Sequence, residues 1–166
     1  VQGDKVRARD RAIILTLLYT GVRVSELCDI RVRNLDFLTG SLRITGKGGK
    51  VREVPLKPEV SEAIRDYLPE RATSPYGEQE YLFLGQRGPF QRDAVNTLLE
   101  KHAERSSLGV RLKPHTFRHT FCTRLINRGV PLTTVSKLAG HSSVETTARF
   151  YINSSKEDKM RAVNML

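Results

Sequence analysis

Between Asn34 and Leu56 the apolar residues change their period. Leu42 and Ile44 alternate with polar neighbours, and the run is broken by Thr39-Gly40 and by Gly46-Lys47-Gly48-Gly49. A period of two belongs to strands and the glycines supply turns, so this stretch predicts a small antiparallel sheet with a glycine-rich hairpin. On both sides the spacing is helical. Ile13, Ile14, Leu17 and Leu18 predict a helix from Arg9 to Thr20 stopped by Gly21, and a shorter one follows from Ser25 to Ile30. Val60, Ile64, Tyr67 and Leu68 predict a helix ending near Pro69. A polar loop over 72–80, the short apolar run Tyr81 to Leu84 and a helix through Val95, Leu98 and Leu99 to Ser106 come next. The last third predicts a helix after Pro114 ending at Gly129, another over Leu132–Ala139 stopped by Gly140, and one opened by a Ser142/Glu145 capping box through Val144, Ala148 and Tyr151. A final helix over Lys156–Leu166 carries Met160, Val163 and Leu166 on one side. With no internal repeat or linker, the 166 residues predict one mainly α domain with a small antiparallel β-sheet, an α+β fold.

Charge narrows the partners. Lys and Arg number 28 against 18 Asp and Glu, a formal charge of +10, while 39% hydrophobic residues keep the chain among globular proteins. That balance favours a polyanionic partner. The most apolar stretch, Ala12 to Tyr19, is far shorter than the roughly 20 residues that cross a bilayer. No charged-then-apolar leader opens the sequence, so a soluble protein without a membrane partner is expected. Cys28 and Cys122 form no paired motif and read as small buried hydrophobes, which fits a reducing cytoplasm better than secretion. The sequence starts almost directly in a helix, which suggests a piece cut from something longer.

Five places beside the breakers carry polar chemistry. Arg23 lies between two predicted helices, with Glu26 near enough to orient its guanidinium. Lys47 stands at the hairpin tip, where flanking glycines let the backbone approach a ligand. His115 and Arg118 lie one turn apart at the start of a helix, whose free N–H groups suit a phosphate. His141 follows the Gly140 break, and Tyr151 shares a stripe with Val144 and Ala148. Taken singly each has an ordinary explanation: a salt-bridged arginine, an exposed turn lysine, a capping histidine, a core tyrosine. His115 and His119 are four apart, yet no glutamate stands between them as a base and no third ligand is near, so a zinc site is not expected. Together, two arginines, two histidines, a lysine and a tyrosine are the parts needed to attack a phosphodiester without a metal. Guanidinium forks match the equatorial oxygens of a phosphorane, and a tyrosine of pKa ~10 becomes a nucleophile once a base or a cationic field takes its proton. A phosphotyrosine then stores the bond energy for religation, so neither ATP nor another cofactor is required.

These residues resemble those of the tyrosine recombinases, the phage integrase family, in the catalytic domain. Thr20-Gly21-Val22-Arg23-Val24-Ser25-Glu26-Leu27 is similar to the family's first arginine box, Gly46-Lys47-Gly48 to its hairpin lysine, His115-Thr116-Phe117-Arg118-His119 to its His-x-x-Arg box, and Leu138-Ala139-Gly140-His141-Ser142 to its second histidine box. Order and spacing agree from about Arg9 to the C-terminus. The resemblance implies that Arg23 and Arg118 clamp the scissile phosphate, with Glu26 supporting Arg23. It makes Lys47 the general acid toward the departing 5′ hydroxyl, and gives His115 and His141 hydrogen bonds to the phosphate, His115 also taking the tyrosine proton. Tyr151 becomes the nucleophile of a 3′-phosphotyrosyl link. In many members the nucleophile comes nine residues after the histidine matching His141; here Phe150 holds that place and Tyr151 follows it.

The implied activity is site-specific recombination or integration on double-stranded DNA, in a prokaryotic cytoplasm, by a protein monomeric in solution that forms a synaptic tetramer on DNA. A separate N-terminal DNA-clamping domain, usual in the family, has no counterpart here, so residues 1–166 are expected to be an isolated C-terminal catalytic domain. Lys101, Arg105, Arg111, Lys113, Arg118, Arg124 and Arg128, set against Glu104, make the window 101–128 basic, and this face is expected to touch the DNA backbone. The terminal apolar strip is expected to pack on its own domain or on a neighbouring protomer. The competing readings are a type IB-like topoisomerase and a DNA-binding module that does not cleave; a metal-dependent nuclease is disfavoured because the acidic residues form no cluster.

Overall fold

The computed structural model describes residues 6–107, 109, 111–152, 160 and 163–165, without the side chains of 151 and 152. Helix α1 (Ala8–Thr20) buries Ala12, Ile13, Thr16 and Leu17 on one face, and Gly21 caps it in the left-handed region at φ +66°. The short α2 (Val24–Cys28) follows at once. Strands β1 (Leu35–Asp36), β2 (Ser41–Thr45) and β3 (Val51–Pro55) form an antiparallel sheet in that order, as the alternation predicts. The register sets Leu42 opposite Val54 and Ile44 opposite Arg52. Leu42, Ile44 and Val54 face the core, so Arg52 stands on the sheet's inner side. A tight turn through Lys47–Gly49 closes the β2–β3 hairpin.

Helix α3 (Pro58–Ala72) packs along α1. It runs past Pro69 instead of stopping there. A proline in the final turn removes only one helical N–H, and the turn is secured from outside. The Arg71 guanidinium donates to the carbonyls of Gly77, Gln79, Tyr81 and Leu82, wrapping the following loop around the helix end. The run after that loop forms a second, two-stranded antiparallel sheet, β4 (Leu84–Gly85) with β5 (Gly88–Pro89), where a single sheet was expected. Its two-residue strands are too short for alternation to show.

Helices α4 (Arg92–Arg105), α5 (Pro114–Asn127), α6 (Leu132–Ala139) and α7 (Val144–Ile152) complete the described chain. Because α7 starts at Val144, the residue before it is Ser143, one later than the capping box expected at Ser142. Its buried stripe is also displaced: Val144 is exposed, whereas Thr147 is fully buried and Phe150 packs inward. One core joins α1, α2, the three-stranded sheet, α3, α4 and Phe117 of α5. A smaller cluster of Cys122, Ile126, Val135 and Ala139 holds α5, α6 and α7 together. Most of the helix expected over 156–166, Leu166 included, lies outside the described residues; Met160 and Val163 are exposed. No helix among the described residues is long and apolar enough to cross a membrane.

Candidate active site

Gly21 brings the two cores together. A Cβ added there would lie 2.2 Å from the Phe121 ring, so only glycine allows α5 to lie this close to the end of α1. The approach carries Arg118, one turn before Phe121, onto the α1 terminus, where Nη1 donates to the Gly21 carbonyl at 2.7 Å. Nη2 of Arg118 is buried and has no partner among the described residues. Burial and the nearby Arg23 charge bring the Arg118 pKa down to about 10, which leaves it cationic at neutral pH.

Arg23 precedes α2 in extended backbone, and its N–H donates to Glu26 Oε1 at 2.8 Å. Its guanidinium keeps 40% of its exposure and stands 3.6 Å from Glu26 Oε2. The Glu26 side chain is only 4% exposed and also receives Arg52, with Nη1 to Oε2 at 2.7 Å and Nη2 to Oε1 at 3.0 Å. Burial works to raise the Glu26 carboxyl pKa, but these hydrogen bonds and the two arginine charges outweigh it and hold the group below the usual carboxylate range. Arg52 Nε donates to the Leu138 carbonyl at 2.9 Å, which reaches the end of α6 just before His141.

His141 is half-buried, with Nδ1 2.6 Å from the Thr147 hydroxyl. Burial, reinforced by the charges of Arg118, Arg23 and Arg52, pushes its pKa down to about 4, so the imidazole is neutral at pH 7. Phe150 stacks on the His141 ring, with centroids 5.7 Å apart and planes at 10°, and also meets His119, tilted at 48° with centroids 5.1 Å apart. The cysteines are free, and burial raises both thiols, Cys28 to about 11.

The structure therefore brings Arg23, Glu26, Arg118 and His141 into one cluster from three separate stretches of chain. Lys47 is exposed at the hairpin tip, next to Gly46, where a Cβ would stand 3.1 Å from Glu26 Oε2, so the hairpin base belongs to the cluster while the lysine side chain reaches into solvent. His115 is exposed in the first turn of α5, one turn before Arg118. Tyr151 lies in the last turn of α7, and its side chain lies outside the described residues. Lys101, Arg105, Arg111, Lys113, Arg124 and Arg128 are all exposed. Arg111 and Lys113 share an open crevice of about 700 Å³ with Glu100 and Glu104, so two carboxylates temper that part of the basic surface.

A model of the phage integrase family matches residues 2–158. The chain belongs to the phage integrase family. Among curated relatives it is 40% identical over 147 residues to tyrosine recombinase XerC of Pelobacter propionicus, a match covering 86% of this chain and 47% of that protein. The chain thus spans about half the length of that relative. Among solved structures, XerA recombinase matches with a TM-score of 0.84 at 27% identity, covering 95% of this chain and 58% of that one. The XerH site-specific recombinase in a post-cleavage complex with palindromic difH substrate gives 0.82 at 27% identity, covering 98% and 47%.

Two members of this integrase-family cluster escape a reading of the sequence alone. Arg52 carries a visible signal: two residues before Val54 on an alternating strand, it is a cation at a core-facing position, which demands a buried partner. Thr147 has none, because one buried threonine in a helix looks like any other.

Proposed function

We propose that this chain cleaves and rejoins double-stranded DNA at specific sites through a 3′-phosphotyrosyl intermediate, as the catalytic domain of a site-specific recombinase. The observation that carries the reading is the charge of the cluster: among the described residues three guanidiniums, of Arg23, Arg52 and Arg118, stand against one carboxylate, and Nη2 of Arg118 has no partner. A phosphodiester has one negative charge and the phosphorane formed on attack has two, so a surplus of two cations stabilises the transition state more than the ground state. The XerH site-specific recombinase in complex with its difH substrate and the XerC and XerA recombinases support this reading.

In this reaction the Tyr151 oxygen bonds to phosphorus as the P–O5′ bond breaks. The phenolic proton passes to His115, and Lys47 gives a proton to O5′. Arg23 and Arg118 hold the non-bridging oxygens. His141, neutral and accepting the Thr147 O–H at Nδ1, presents Nε2–H as a donor. A 5′ hydroxyl from a second duplex then attacks the phosphotyrosine, returning both protons by the reverse path. Phe150, stacked on His141, has a packing role in the place where many members carry the nucleophile, which supports Tyr151 as the attacking residue. The exposed cations on α4 and α5 contact the DNA backbone, and synapsis assembles four protomers that are monomeric when free.

The test is covalent trapping in EDTA on a pool of singly nicked duplexes of randomised sequence. An SDS-resistant adduct forms, Tyr151→Phe abolishes it and Phe150→Tyr leaves it attached at residue 151. Persistence of the adduct in Tyr151→Phe, or its absence from the parent chain, defeats the proposal. Joining of ends between two duplexes separates recombination from the topoisomerase reading, which reseals only the original strand.

A further inference from the structure

The Glu26 carboxylate is nearly saturated. Two oxygens offer about four acceptor sites, and Arg52 Nη1, Arg52 Nη2 and the Arg23 backbone N–H take three. The Arg52 fork meets the carboxylate edge to edge, the strongest geometry for such a pair. Its remaining edge, Nε, holds the Leu138 carbonyl, and a Cβ at Gly140 would lie 2.5 Å from Nη1, so the chain leading into His141 rests directly on this guanidinium. Gly140 also sits at φ +70°, which favours glycine there a second time.

We propose that Arg52 is a positioning residue: by occupying Glu26 with one edge and the Leu138 carbonyl with another, it keeps Arg23 free to face a phosphate and fixes the loop that presents His141. The inference rests on the strand-cleaving role assigned above to Arg23 and His141. With Arg52 in place, Arg23 stands off Glu26 at 3.6 Å and stays partly exposed. Without it, a carboxylate buried to 4% exposure keeps Arg23 alone within ion-pair distance among the described residues. Arg23 then closes onto Glu26 and leaves the phosphate, because an unpaired buried charge is strongly unfavourable.

Single-turnover adduct formation tests this with Arg52→Gln, Arg52→Gln combined with Glu26→Gln, and Arg23→Ala, after thermal melts show each variant folded. Each is assayed on a phosphodiester and on a duplex with a neutral methylphosphonate at the cleaved position, which carries one negative charge less and so needs one guanidinium less. Arg52→Gln slows cleavage about 10–100-fold, as loss of an orienting partner does elsewhere. Adding Glu26→Gln releases Arg23 and recovers about tenfold of that loss, a coupling that additive damage does not give. The methylphosphonate narrows the gap for Arg52→Gln and Arg23→Ala alike. Unchanged cleavage by Arg52→Gln overturns the inference, as does a defect that persists on methylphosphonate while Arg23→Ala is rescued. Failure to rescue Arg23→Ala itself counts against the phosphate clamp, and suppression by Glu26→Gln then decides Arg52 separately.

Discussion

The body around α1, the three-stranded sheet, α3 and α4 and the trio α5–α7 are built differently. The body has a continuous core in which Ile13, Leu17, Leu42, Ile64 and Leu99 are wholly excluded from water. The trio's apolar cluster has four buried members, Cys122, Ile126, Val135 and Ala139, and completes itself with half-exposed side chains such as Phe150. Arg23 and Lys47 stand on the body, His141 and Tyr151 on the trio, and Arg118 on the helix that belongs to both. The candidate site is therefore a seam. It is closed by the ring of Phe121 on Gly21, by Arg118 on the Gly21 carbonyl and by Arg52 on Leu138. A seam of this kind couples chemistry to the relative placement of two packing units, while the large core keeps one of them fixed.

The sharpest way to break this contrast is to remove the same bulk from each side. Leu17→Ala leaves a cavity in a core that cannot collapse and costs about 4 kcal/mol, whereas Ile126→Ala, at the partly wetted edge of the small cluster, costs about 2 kcal/mol. Urea unfolding measures both, and equal losses would show that the two cores are one. Gly21→Ala falls between them at about 3 kcal/mol, from the left-handed backbone and the collision with Phe121. Its adduct formation should fall further than its stability, since Phe121 and Arg118 ride on the same helix. Native-state hydrogen exchange should find α6 and α7 opening at lower free energy than α1 and α3.

What could be foreseen follows from the same contrast. The body's elements have long apolar periods, and the helices and the hairpin stand where those periods place them. The ends that depend on distant partners do not: Pro69 is overrun because Arg71 ties the helix end to carbonyls up to eleven residues away. Arg23, Glu26, Arg118 and His141 were recognisable from their neighbours in sequence, because each sits beside a glycine or at a helix start. Arg52 and Thr147 act through tertiary contacts, with Leu138 lying 86 residues beyond Arg52. For α7 the stripe drawn through Val144 and Ala148 begins on an exposed residue, while Thr147 and Phe150 pack inward beside it.

A smaller effect separates the seam from the body by pH. The His141 pKa is about 4 in the folded chain against an ordinary 6.5, so as pH falls through that window the unfolded chain takes up a proton that the folded chain refuses. Stability therefore drops between pH 6.5 and 4, by of the order of 2 kcal/mol once solvent screening of a half-buried ring is allowed for. Glu26 adds a second loss below its ordinary 4.5, because its depressed carboxyl stabilises the fold only while ionised. Urea unfolding as a function of pH should show the upper limb vanish in His141→Gln and the lower limb shrink in Glu26→Gln. A body variant such as Leu17→Ala should shift the whole curve and keep its shape.

The smallest change is the most specific. Thr147 is fully buried, and its hydroxyl is the only partner given to His141 Nδ1 among the described residues. Thr147→Val keeps the volume and deletes the hydrogen bond, costing about 1 kcal/mol of stability. Its consequence for the site is larger than that figure suggests, because an Nδ1 that accepts the Thr147 O–H keeps the ring proton on Nε2, and without that partner the Nδ1–H form competes. Nitrogen-15 spectra of the His141 ring should show one tautomer in the parent chain and in Thr147→Ser, and a mixture in Thr147→Val, with adduct formation falling in proportion to the lost Nε2–H form. An unchanged ring spectrum in Thr147→Val would mean that the cationic seam itself, through Arg118 and Arg52, orients the histidine. The small cluster would then serve only to hold α7 in place.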